Sequence, residues 1–180
     1  LVAIAKLGTP AMLGLLALAL SISAPIMIYA GLELQIVQVT DAKRTYRFDD
    51  YLVTRFALLT IGLVLVALTT VALGYRQQLL IIMSIAILKL LDAVSEMYYG
   101  ILYQREEMHR IGISLSLKGF LSLTALAVSL ALSKSLLIAL LCSVAARTAI
   151  LLMYDRYNSH YLDATRDRRA TRYNLLRHTL

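Results

Sequence analysis

Lys89, Asp92, Glu96, Tyr99 and Tyr103 interrupt an otherwise apolar stretch at helical intervals. At about 100° per residue they fall within an arc of about 80°, a narrow ionisable stripe along one helix. Lys89 and Asp92 are spaced to pair, and Asp92 and Glu96 are spaced to share a site. Two acids against one base leave a carboxylate without a cation on its own helix, and such a group at low dielectric can take up a proton. The bland alternative is a satisfied packing network. Ionisable residues inside a membrane span default to function, because burying them is costly.

Two further cations, Arg55 and Arg147, stand in or beside apolar runs. Lys89 and Arg147 each lie about twelve residues, roughly 18 Å, from the same end of their helices. Glu96 and Arg55 lie near the opposite end, which makes an Arg55–Glu96 pair an expectation. Glu33 and Gln35 stand at a similar depth. Arg55, Lys89 and Arg147 facing one cavity would suit an anionic phosphate, with arginine as a fork and lysine as a point charge. Snorkelling or pairing with a carboxylate is the competing role for Arg147.

The elements that carry these residues are long apolar blocks. No charge occurs from Leu7 to Leu32 or from Phe56 to Tyr75. Gln77–Gln104 holds only Lys89, Asp92 and Glu96, Ile111–Ser133 only Lys118, and Ser135–Tyr154 only Arg147. Each block can cross a bilayer, where a helix satisfies its own backbone. The spacing predicts helices at about 11–39, 51–73, 78–103, 112–131 and 135–154, an all-α polytopic membrane bundle. Composition agrees, with 59% hydrophobic residues and a mean hydropathy of +0.72. Cys142 is the only cysteine, and His109, His160 and His178 are far apart, so neither a disulfide nor a metal cluster is expected. No cofactor is called for.

Charge position sets an orientation. Of 18 lysines and arginines, thirteen gather on one side: Lys43, Arg44, Arg47, Arg55, Arg105, Arg110, Lys118 and six arginines of the tail. Lys6, Arg76 and Lys134 mark the other side, while Lys89 and Arg147 lie within helices. The 40–50 loop, the 104–111 loop and the tail are therefore expected in the cytoplasm. The basic tail next to a membrane reads as a topology or lipid-facing signal rather than a nucleic-acid patch. Residues 1–157 form one bundle in this reading, and 158–180 a basic connector or interfacial helix. The chain opens on Leu1, and Leu1–Lys6 read as the last turns of an incoming helix. Pro25 lacks the donor for the Ser21 carbonyl and should bend its helix. Gly14, Ala17, Ser21 and Ala24 form a small-residue stripe suited to close helix packing.

Three segments resemble bacterial oligosaccharide flippases of the O-antigen type. Leu7–Gly8–Thr9–Pro10–Ala11–Met12–Leu13–Gly14 is similar to their loop after the first helix. Thr40–Asp41–Ala42–Lys43–Arg44 with Phe48–Asp49–Asp50–Tyr51–Leu52–Val53–Thr54–Arg55 is similar to their first cytoplasmic loop. The order Lys89, Asp92, Glu96, Tyr99–Gly100, Gln104, Glu107–Met108 and Ser114 is the most specific part. Glu33 and Gln35 depart from the family's pattern of glutamine and arginine at these two positions. The resemblance implies the multidrug/oligosaccharidyl-lipid/polysaccharide exporter superfamily, a fold of two six-helix bundles of which this chain would be most of the first. It implies a transporter of polyprenyl-pyrophosphate-linked oligosaccharide across the bacterial inner membrane, not an enzyme. The remaining bundle of the same protein and membrane lipids would be its partners, with no nucleic acid. Lys89, Arg147 and Arg55 are then candidates for holding the headgroup, and Asp92 and Glu96 for ion coupling. A drug/cation antiporter of the same superfamily is the rival, although it should line its cavity with net acid. A membrane-embedded polymerase or glycosyltransferase would need larger loops to hold catalytic acids and histidines.

Overall fold

The computed structural model describes residue 6 and residues 8–31, 48–103 and 106–155. These form helices α1 (Pro10–Gly31), α2 (Phe48–Ala72), α3 (Leu79–Tyr103), α4 (Met108–Ser133) and α5 (Leu136–Ile150). A short 3₁₀ turn, Arg76–Gln78, leads into α3, and a π-helical turn, Leu151–Asp155, extends α5. No strand occurs among the described residues. Five helices are long and apolar enough to cross a membrane, one for each block read from the sequence. The last eight residues of the expected 11–39 helix lie outside the described residues.

The helices end where local chemistry stops them. At the end of α2, Tyr75 N–H donates to Thr70 O (3.0 Å) and Gly74 N–H to Val71 O (3.1 Å). This paired closure places Gly74 in the left-handed region (φ 85°), where glycine carries no Cβ penalty. The same closure follows α3, with Glu107 N–H on Leu102 O and Glu106 N–H on Tyr103 O. There the left-handed position is Glu106 (φ 59°), an uncommon conformation for a side-chain-bearing residue. Lys134 (φ 50°) closes α4. The joints on both sides of α4 are therefore tight, and α4 begins at Met108 rather than near residue 112.

Helix α3 is the hub, packing on α1, α2 and α5, while α4 packs chiefly on α5 and touches α3 sparsely. The main core joins Leu16, Ala19 and Met27 of α1 with Leu59 and Val66 of α2 and Ile82, Ile85, Ala86 and Val94 of α3. Leu136, Ala139 and Leu140 of α5 and Leu130 of α4 complete it. A Cβ added at Gly62 would lie 2.8 Å from Ala30 Cβ, so α1 and α2 approach closely there. The outer surface is apolar: Leu65 and Leu68 of α2 and Phe120, Leu123 and Val128 of α4 are all exposed. That suits hydrocarbon rather than water. Many hydroxyls are satisfied inside their own helices, as with Ser23 on Ala19 O (2.6 Å) and Thr70 on Val66 O (2.7 Å).

Two expectations are corrected here. The stripe of Gly14, Ala17, Ser21 and Ala24 is not the packed face of α1. Gly14, Ala17 and Ser21 are exposed, and a Cβ at Gly14 would meet nothing within 4 Å. The packed face is Leu16, Ala19, Ser23, Met27 and Gly31, a mixture of small and large residues on the other side of the helix. Lys118 is also not a loop charge. It lies in the third turn of α4 and is buried.

Candidate functional site

A groove of about 180 Å³ opens between α1, α2 and α3, lined by Met27, Ile28, Gly31, Arg55, Lys89, Asp92, Ala93 and Glu96. Its polar wall is the Lys89, Asp92 and Glu96 part of the α3 stripe, whereas Tyr99 turns to α4. Arg55 reaches across from α2. Its Nη2 donates to Glu96 Oε2 at 2.9 Å, and its Nη1 donates to the Gly31 carbonyl at the end of α1. Gly31 leaves room for this, since a Cβ there would lie 3.2 Å from Arg55 Nη1. One guanidinium thus ties three helices together at the groove's edge.

Asp92 is held from the other side. Arg147 Nη1 of α5 lies 2.5 Å from both Asp92 carboxylate oxygens. Its Nε is buried with no hydrogen-bond partner among the described residues, leaving a spare donor beside the carboxylate. The expected Lys89–Asp92 pair does not form. A tertiary contact from α5 takes the place of the i,i+3 neighbour, with one guanidinium nitrogen on both carboxylate oxygens. Lys89 makes no ion pair among the described residues. It lines the groove on the same face of α3 as Asp92 and Glu96, each of which has an arginine. Arg55 and Lys89 therefore share the groove, whereas Arg147 is absent from its lining and acts on it through Asp92. Glu33 and Gln35 lie outside the described residues.

A second charged cluster lies toward the Tyr103–Met108 end of the bundle, between α3, α4 and the π turn. Lys118 Nζ donates to Asp155 Oδ2 and, at 2.8 Å, to Tyr99 Oη. Ser114 Oγ donates to Asp155 Oδ1 at 2.5 Å, and Tyr99 Oη lies 2.8 Å from Ser114 Oγ. One set of protons satisfies the ring: lysine to tyrosine, tyrosine to serine, serine to aspartate, and lysine back to aspartate. Lys118 Nζ also stands 4.9 Å from the centre of the Tyr99 ring, within cation–π range. The side chains of Lys118 and Asp155 are 7% and 1% exposed, so the pair is shut away from solvent.

Comparison with known proteins gives one similarity. The chain is 32% identical over 157 residues, 87% of its length, to a protein of Staphylococcus aureus named capsular polysaccharide biosynthesis protein CapF. The match spans 39% of that relative's own length. No protein-family description matches the chain. No solved structure matches it.

Sequence reading found the stripe, and the depth argument found the Arg55–Glu96 contact. It missed the Lys118–Asp155 ring. Ser114 and Tyr99 stood in the motif that carries the resemblance, and Ser114 and Lys118 are one turn apart, so half of the ring was visible as an i,i+4 pair. Asp155 had no such signal. It lies 37 residues from Lys118, at the end of a span, and a π turn sets its direction.

Proposed function

We infer that the chain is part of a membrane transporter that moves a lipid-linked oligosaccharide from the inner to the outer leaflet during surface polysaccharide synthesis. The observation that carries this reading is the lysine in the groove. Lys89 stands at the groove wall with no carboxylate partner among the described residues, and the two acids nearest it on α3, Asp92 and Glu96, are engaged by arginines. A cation held this way inside a span is available to an anionic ligand, and a pyrophosphate headgroup is such a ligand. The similarity to a protein named for capsular polysaccharide biosynthesis supports the process. The flippase resemblance of the Lys89–Ser114 segment supports the step.

In this reading Lys89 contacts the headgroup, with Arg55 at the groove's edge. Arg147 holds Asp92 and can offer its spare donor when the helices shift. Asp92 and Glu96 are the candidates for ion coupling, since release of either arginine leaves a carboxylate that can accept a proton or a cation. The remainder of the protein supplies the other wall of the cavity, and the loop between α3 and α4 faces the cytoplasm. The drug/cation antiporter fits less well. Arg55, Lys89, Asp92 and Glu96 sum to zero charge, and Arg147 behind them adds a positive one, whereas a cation exporter needs net acid.

The test is Lys89→Ala in the full-length protein, in cells that make the surface polysaccharide. Surface polysaccharide should disappear at normal protein levels, with lipid-linked oligosaccharide accumulating in the inner leaflet. Retention of wild-type polysaccharide, with lost efflux of an organic cation, would transfer the chain to the antiporter class.

A further inference from the structure

The Tyr99–Ser114–Lys118–Asp155 ring serves no purpose in the groove. It does lie on the α3–α4 seam, which among the described residues is packed more thinly than the α4–α5 contact. Helix α4 enters the main core through Leu130, with Leu126 packed partly against it. Leu130 is twelve residues from Lys118, roughly 18 Å along the helix. At the Met108 end, α4 meets α3 through a separate small cluster of Tyr99, Leu102 and Ile111. Among the described residues, the ring adds an ion pair and hydrogen bonds to that small cluster.

The fastening is directional. Tyr99 is its only α3 member, and its hydroxyl meets both α4 groups, Ser114 and Lys118. Asp155 makes no contact with Tyr99 through hydrogen bonds. It holds Ser114 with one oxygen and Lys118 with the other, and so fixes both for the tyrosine. The π turn widens the helix by one residue and aims the carboxylate inward. Buried ion pairs contribute little net stability against an apolar replacement, so a role in choosing between arrangements fits them better than a role in stability.

We propose that this ring is a latch on the α3–α4 seam, with Tyr99 as the catch that Asp155 pre-sets through Ser114 and Lys118. Closed, it holds the seam dry. Released, it lets the Met108 half of α4 move off α3 while the Leu130 half stays in the core. The seam then becomes an opening controlled separately from the groove, on the same helix that carries Glu96. This holds whatever the groove transports.

Ile111 is buried beside the ring and reports on the seam, while Leu130 reports on the core. In a Cys142→Ser background, Ile111→Cys and, separately, Leu130→Cys are exposed to N-ethylmaleimide in membranes. Tyr99→Phe removes both hydrogen bonds to α4 but keeps the aromatic ring and every charge pair. It should speed labelling of Ile111→Cys several-fold at equal amounts of inserted protein and leave Leu130→Cys protected. Asp155→Asn should act in the same direction. Unchanged labelling of Ile111→Cys in both variants overturns the latch, as does a parallel rise at Leu130→Cys, which would mean general loosening. If Asp155→Asn does not accumulate, Tyr99→Phe decides. Ser114→Ala, which removes one catch contact, provides the independent repeat.

Discussion

Asp92 and Asp155 are both carboxylates in apolar spans, and each is bound by a cation from another helix. Asp92 keeps 36% of its side chain exposed and its partner Arg147 keeps 26%, whereas Asp155 keeps 1% and Lys118 7%. The difference lies in the neighbours. Asp92 borders a groove, and its arginine can be replaced by water or by a ligand at small cost. Asp155 is enclosed by α3 and α4, and among the described residues its side-chain hydrogen bonds go to Ser114 and Lys118 of the ring. A pair beside a groove can trade partners during a transport cycle. An enclosed pair can only be intact or broken.

The largest expected effect tests the enclosed side. Asp155→Ala or Lys118→Ala leaves one buried charge alone, which costs about 3–5 kcal/mol. Protein in the membrane should fall steeply in either variant, measured by quantitative blotting. The double change Lys118→Met with Asp155→Leu should recover most of it. Failure of the double variant to recover would mean that the charges themselves hold the fold.

Arg147→Ala should separate the two regions. Partly exposed pairs are worth about 0–1 kcal/mol, so protein levels should stay near normal while surface polysaccharide is lost. Arg147→Lys should restore part of it, because charge survives while the planar set of donors does not. A loss of protein as steep as that of Asp155→Ala would erase the comparison.

Lys89→Ala combined with Asp92→Ala sharpens the groove side further. Because Arg147, not Lys89, holds Asp92, the double change should not rescue the polysaccharide lost in Lys89→Ala. Full rescue would make Lys89 a counter-charge to Asp92 and remove its role with the headgroup.

The smallest effect concerns orientation and leaves activity alone. Single cysteines at Gln77 and Ser133 should react with an impermeant thiol reagent on intact cells, and one at Met108 should not. All three positions are exposed, so access is set by the side of the membrane. Labelling at Met108 would invert the orientation drawn from the basic loops, a bias that survives the removal of Lys118 from the count.

The helices were legible because hydrocarbon leaves a chain few options, and an uncharged run such as Phe56–Tyr75 must satisfy its backbone internally. The α3 stripe was legible because it depends only on helical period. Partners on other helices were legible only where depth narrowed the choice, as for Arg55 and Glu96. Depth did not separate Lys89 from Arg147 as the partner of Asp92; the carboxylate pairing named as the competing role of Arg147 is the one that forms. Lys118 was misread because the hydropathy pattern begins α4 at residue 112, and the four-residue difference moves a lysine from the interface into the third turn. The π turn at Leu151–Asp155 leaves no mark on a periodic pattern, so the direction of Asp155 could not be read.

The attachment of α2 has a mechanical consequence. Arg55, near its beginning, is anchored to Gly31 and Glu96, while Thr60, Thr69 and Thr70 donate to carbonyls of their own helix. Beyond Arg55, among the described residues, α2 meets its neighbours through packed side chains such as Leu59 and Val66, which carry no directional bond. Among the described residues, the hydrogen bonds that fix α2 to its neighbours therefore lie near one end. A small turn of the guanidinium at Glu96 becomes a larger sweep at Ala72, more than 20 Å away at about 1.5 Å per residue.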